Sequence, residues 1–450
     1  MKSVATRSAD PATLATSLKD LAARILDEAK RQGASAAEVA AGDSSGLVVA
    51  VRKGELETVE FTNDRGFGIT VYVGERKGNA STSDAGPDAI RDTVRAALNI
   101  ARYTEDDPCN GLADAEAMAR RVPDLDLHHP WDIDVPGATE RATETEAAGL
   151  AYDDRIVNSE GARVATARGC QVYGNTHGFL EAAWGTRHST SCLMIAADSN
   201  GMQPEDWYTV GRDPADLEDH VEVGREAARR AVGRLGCRPV KTGAYPVMFA
   251  APAAAGLVSH LLSAIGGRAL YRRESYLLDS LGRQVATEDL TLREEPHRPK
   301  GLASAGYDGD GVATRAKTFI DEGVVASYIL DSYSARRLGM ATTGNAGGYF
   351  NLDVVADARP VEELMREMDT GLLVTSLMGQ GVNLVTGDYS RGAGGVWIEG
   401  GEPCHPVDEV TIAANLDDVY KGIVGCGDDI DRRGNIQTGS LLVREMTVAN

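Results

Sequence analysis

Eight histidines are the first residues to test for acid–base or metal chemistry. His260 is the most informative of them. It sits in the apolar stretch Ala251–Ile265, whose length and composition predict a helix. A zinc site borne on a helix needs a second ligand about a turn later and an adjacent glutamate to activate water. The residues after His260 are Leu261, Leu262, Ser263, Ala264 and Ile265, which supply neither. His260 by itself therefore reads as a histidine at the edge of a core. His177, in the turn Gly174–Gly178, and His188, after Arg187 on a strand-like run, could face a cleft. Neither has a nucleophile or base at catalytic spacing, so both are expected to be structural. His128 and His129 read as exposed loop residues, and His220 and His297 as surface residues. Cys404 and His405 are neighbours on an extended segment, so they point to opposite faces and share no metal.

Other motifs are as sparse. No two of the six cysteines form a C-x-x-C pair, and no G-x-x-x-x-G-K-[ST] phosphate loop is present. Gly66 and Gly68 lack the third glycine of a dinucleotide fingerprint. Gly42–Gly46 matches G-x-S-x-G, but the strand-like Leu47–Val51 follows where that motif needs a helix, so a polar turn is expected. Asp308–Gly311 suggests a calcium loop, yet its twelfth position would be Lys317 instead of glutamate, so a turn is expected here too.

The elements that must position these residues come from hydrophobic period. The chain has 450 residues, 42% hydrophobic and 25% charged, which fits a folded protein of two or three units. Its 46 basic and 67 acidic residues give a net charge of −21, a poor footprint for nucleic-acid binding. The start of the chain has no continuous apolar core, and the most apolar window, Val247–Val258, is interrupted by Pro252. A cytoplasmic protein with reduced thiols and no membrane contact is expected. Helices are expected over Leu14–Ala29, Ile90–Ala101, Thr139–Tyr152, Asp216–Leu235, Ala251–Ile265 and Glu362–Met368. Strands are expected from Gly46 to Val73, broken at Lys53-Gly54 and Asn63-Asp64, and around Ala162–Tyr173 and Thr190–Ala197. The stretch 124–136, rich in Pro, His and Asp, reads as a linker. The resulting fold class is α+β: an N-terminal α/β domain with an antiparallel sheet and helices over 1–240, and a β-rich, barrel-like domain over 241–450.

Several long segments resemble the TldD/PmbA family, in its PmbA (TldE) branch. They are Gly256–Val285, Lys300–Val312, Ser332–Gly348, Thr370–Glu402 and Asn435–Val443, with Gly54–Tyr72, Gly174–Gly178 and Thr186–Ser189 in the N-terminal half. The resemblance covers nearly the whole chain. It implies a two-subunit zinc-dependent peptidase in which a TldD-like partner carries an HExxxH helix and a later cysteine. Placed on this sequence, those positions fall at His260, Leu261, Ile265 and near Thr438. Three of the four cannot bind zinc or act as base. The resemblance therefore implies that this chain binds no metal. It would line a chamber for unfolded or modified peptides, or small peptide-like molecules, while the partner supplies zinc and catalysis. Asn345, Asp388, Tyr389 and Arg391, which are set among glycines, are the candidates to face that chamber. Turn residues shaping a hairpin are the competing reading. Two further readings stay open: an independently active homodimeric amide hydrolase using His177 or His188, and a non-enzymatic peptide-binding regulator.

Overall fold

The computed structural model describes residues 11–199 and 201–450. Residues 1–10, the first part of the stretch expected to lack a continuous apolar core, lie outside the described residues. The chain is α+β, with an antiparallel half-barrel sheet in its N-terminal part and a closed β-barrel in its C-terminal part.

The half-barrel has six antiparallel strands: β1 (Ala36–Arg52), β2 (Glu55–Val73), β3 (Arg76–Thr82), β4 (Ile156–Asn175), β5 (Leu180–Asp198) and β6 (Gly201–Gly211), in the order β3-β2-β1-β4-β5-β6. Alternation along β1 buries Ala37, Val39 and Ala41 near one end and Leu47, Val49 and Val51 near the other. Helices α1 (Pro11–Arg31) and α2 (Pro87–Tyr103) cover the first group, through Leu18, Leu21, Ile25, Val94 and Leu98. Helices α3 (Val135–Leu150) and α4 (His220–Gly233) cover the second. α3 and α4 approach so closely that a Cβ on Gly224 would lie 1.9 Å from the Thr145 carbonyl oxygen.

Two expected turns are strand interior instead. Gly42–Gly46 runs straight through β1, paired on both sides, with Gly42 opposite Gly66 and Gln171. Asn63 and Asp64 pair with Ser45 and Ser44, so β2 is unbroken there. Long ladders override the local turn preference of these residues. The expected linker is ordered as well: Leu125 O accepts from Lys300 N and Leu127 O from Thr186 N, while His129 N donates to Thr186 Oγ1. Accordingly His128 and His129 are half-buried, not exposed.

The sheet face away from the helices is lined in its middle by small side chains: Ala40, Gly42, Ser44 and Gly46 on β1, with Ala167 and Gly169 on β4. β3 pairs with β2 from Phe67 onward, so residues 55–66 form a free outer edge among the described residues. That edge carries Glu55, Glu57, Glu60 and Asp64 together with exposed Leu56, Val59 and Phe61.

The later strands are β7 (Gly243–Phe249), β8 (Thr291–Glu294), β9 (Lys317–Asp321), β10 (Val324–Val325), β11 (Leu352–Val355), β12 (Ala358–Arg359), β13 (Gly371–Met378), β14 (Val382–Asn383), β15 (Asp388–Glu399), β16 (Glu402–Asn415), β17 (Ile423–Gly427), β18 (Ile436–Gln437) and β19 (Leu441–Ala449). The helices among them are α5 (Ala251–Ala264), α6 (Gly267–Tyr271), α7 (Ser332–Leu338), α8 (Val361–Met368) and α9 (Leu416–Lys421). β7, β13, β15, β16 and β19 close on themselves, because β19 pairs with both β16 and β7. α5 packs its Leu257 and Leu261, with Ile265 at its C-terminal cap, into the same core as Phe249, Val374 and Ile412 of the barrel.

Candidate functional site

α5 begins directly where β7 ends. Ala250 N donates to Val374 O at 2.9 Å, and Pro252 sits in the first turn, where its missing N–H costs nothing. The helix thus carries His260 along the barrel to face β15. Tyr389 and Arg391 are two apart on that strand, so their side chains leave the same face. The Tyr389 ring meets the His260 imidazole edge-on, with centroids 6.1 Å apart and planes at 63°. Phe249 packs edge-on against Tyr389 as well, at 6.5 Å.

Arg391 approaches the Tyr389 hydroxyl, but the polar atoms at this junction are poorly partnered. His260 Nε2, the Tyr389 hydroxyl and Arg391 Nε are buried with no well-formed hydrogen bond. Tyr389 is only 1% exposed, whereas His260 and Arg391 are half-buried. Burial lowers the His260 pKa, and the Arg391 charge lowers it further. Burial pushes the Tyr389 hydroxyl up to about 12, against a smaller opposing pull from Arg391. The imidazole and the phenol are therefore both neutral near pH 7.

The positions aligned with a zinc site do not fit a metal. Leu261 and Ile265 are fully buried hydrocarbon. Thr438, just past β18 and beside α5, is also fully buried and donates to Gly439 O at 2.9 Å. Among the described residues no group of three or more His, Cys, Asp and Glu could hold an ion. Arg391 adds a positive charge next to His260, which repels a cation.

The other candidates are dispersed. Asn345 is buried at 2% exposure, donating to Glu294 Oε1 at 3.0 Å and accepting from Lys317 Nζ at 3.0 Å. It holds a buried ion pair in place and does not open to solvent. Asp388 is exposed and accepts from Thr386 Oγ1 at 2.6 Å. Asp388, Tyr389 and Arg391 lie on strand β15, not in a turn. His188 is buried, with Nδ1 2.8 Å from Thr166 Oγ1 and Nε2 2.8 Å from His129 O. His177 is exposed at the β4–β5 hairpin tip, roughly 25 Å away at about 3.3 Å per residue, so the two form no site. His405 contacts Pro406 O, and all six cysteines are free thiols. The Asp308–Gly311 stretch is a turn: Asp308 accepts from the backbone N–H groups of Asp310, Val312 and Ala346. What sequence reasoning missed is the meeting of His260 with Tyr389 and Arg391. The alternation 389/391 on one strand is the signal that places those two together, but nothing local ties them to a helix far earlier in the chain.

No helix among the described residues is long and apolar enough to cross a membrane. Comparisons with known proteins cover most of the chain. Three family models match, described as PmbA/TldA metallopeptidase domain 1 (residues 37–101), central domain (128–235) and C-terminal domain (242–450). The chain is 48% identical to Metalloprotease PmbA of Escherichia coli O157:H7, over 92% of each chain. It is 45% identical to a Metalloprotease PmbA homolog of Haemophilus influenzae, over 96% of each. The solved structure of TldE from Thermococcus kodakarensis shares the fold at a TM-score of 0.83 and 20% identity, covering 96% of this chain and 100% of that one. With its motifs, its half-barrel and its barrel in agreement, the chain belongs to the PmbA/TldD metallopeptidase family, in the PmbA (TldE) branch.

Proposed function

We propose that this chain is the non-metal subunit of a heterodimeric, cytoplasmic zinc-dependent peptidase, with a TldD-like partner supplying zinc and the general base. The observation that carries this reading is the fully buried hydrocarbon of Leu261 and Ile265 where the family's metal-binding members place a glutamate and a histidine. Hydrocarbon has no lone pair for a metal and no basicity toward water.

The small-residue face of the half-barrel supports a role as a chamber wall, because a surface of Gly, Ala and Ser lets an extended chain approach the backbone. A wall of this kind limits solvent around a hydrolytic centre contributed from outside and excludes folded proteins by size. Unfolded or modified peptides, or small peptide-like molecules, are the substrate class that fits.

The test is reconstitution. The purified chain, alone and mixed with a TldD-like subunit, is assayed for zinc per polypeptide and for cleavage of an unfolded peptide. The expected result is zinc in the partner and cleavage by the pair. Stoichiometric zinc and turnover in the isolated chain would overturn the reading in favour of a self-sufficient hydrolase. Full activity of the partner by itself would leave this chain as a regulator.

A further inference from the structure

The junction of α5 and β15 gathers three polar atoms that are buried without well-formed hydrogen bonds and that can each donate. Arg391 Nε–H is a donor, and so is the Tyr389 hydroxyl. The neutral His260 imidazole can carry its proton on Nε2, the atom buried without a partner. A contact between Arg391 and the phenol oxygen would still leave the phenol proton and the rest of the guanidinium fork unmet. Burying unmet donors is costly, and Tyr389, at 1% exposure, cannot turn out to water.

The charge here is positive and unbalanced. Among the described residues Arg391 makes no ion pair, and Asp388 leaves the opposite face of β15. With Tyr389 protonated and His260 neutral, the junction carries a single positive charge. A planar monoanion with two acceptor oxygens matches the guanidinium fork and leaves lone pairs for the phenol and the imidazole. A phosphate dianion would exceed that charge, and a metal cation would be repelled. Arg391 is half-buried, so part of its side chain meets solvent.

We propose that His260, Tyr389 and Arg391 form a carboxylate-binding site in this chain, occupied by the C-terminal carboxylate of a peptide. The site belongs to the chain alone and does not rest on the partner-subunit reading. Arg391 holds the carboxylate through its fork, Tyr389 donates its hydroxyl, and His260 donates from Nε2.

The experiment titrates the full chain with N-acetyl-dialanine, its C-terminal amide, acetate and inorganic phosphate. Binding is followed by calorimetry and by the imidazole NMR signals, with His260 assigned through His260→Gln. The expected result is saturable binding of the acid that shifts the His260 signal, with the amide roughly tenfold weaker or worse. Arg391→Met is expected to weaken the acid by about tenfold or more, and Tyr389→Phe by a few-fold. If Arg391→Met does not fold, Arg391→Lys, which keeps the charge but loses the fork, is expected to weaken binding as well. Equal binding of acid and amide, no shift at His260, or wild-type affinity in the folded Arg391 variant would overturn the site. Acetate or phosphate binding as tightly as N-acetyl-dialanine would overturn its assignment to a peptide terminus.

Discussion

The Arg433 guanidinium lies over the Trp207 indole, 3.5 Å from the ring centroid, and joins the C-terminal part of the chain to strand β6 of the half-barrel. Asp431 holds that guanidinium through two bonds of 2.9 Å, and the Tyr208 ring sits 4.8 Å away. Because Arg433 and Asp431 are both largely withdrawn from water, the contact is worth more than a surface pair. Arg433→Ala is expected to destabilise the protein by about 1–2 kcal/mol. Arg433→Lys should recover less than half of that loss, since lysine lacks the planar fork. Chemical denaturation of the two variants reads both numbers, and an unchanged midpoint in Arg433→Ala would remove the contact from the account.

Leu261 fills the core between α5 and the barrel with no exposed surface. Leu261→Ala should cost about 2–5 kcal/mol by creating a cavity. Leu261→Glu should cost more, because it places a charge in this apolar core. Thermal unfolding of both variants distinguishes the cases. A Leu261→Glu protein as stable as the wild type would mean that the position is far less enclosed than described.

Burial raises the Asp308 carboxyl to about 6, against the opposing pull of the backbone N–H groups of Ala346, Val312 and Asp310. Between the unfolded value of 3.8 and about 6, the folded chain keeps a proton that the unfolded chain releases. Stability from this group is therefore full below about pH 4 and falls as pH rises toward 6, by on the order of 2–3 kcal/mol. Glu38, raised chiefly by burial, adds in the same direction. Asp308→Asn loses an acceptor for the Ala346 N–H and should be less stable at pH 4. Its stability should also be flatter from pH 4 to 6.5. Parallel pH profiles for variant and wild type would contradict this.

The longer helices were legible because each buries one stripe at a 3.6-residue period, whereas the short α6, α7 and α9 offer too few turns to show one. Leu18, Leu21 and Ile25 of α1 and Ile90, Val94 and Leu98 of α2 are where that period puts them. Strand extent was not legible. β1 and β2 carry Gly, Asp, Asn and Ser in mid-strand, residues that read as turns unless a long ladder with a neighbouring strand enforces extension. β6 escaped notice because of its acidic residues and Pro204, which an edge strand tolerates. That Leu261 and Ile265 are hydrocarbon and offer a metal no ligand is a property of the residue types alone. The company that His260 keeps was not legible, since Tyr389 and Arg391 reach it only through closure of the barrel.

The free margin of β2 presents Glu55, Glu57, Glu60 and Asp64 along one row of open backbone groups. Two copies laid margin to margin would set carboxylate against carboxylate at strand spacing, a penalty repeated along the seam. Like charge along this margin works against edge-to-edge pairing of two copies there.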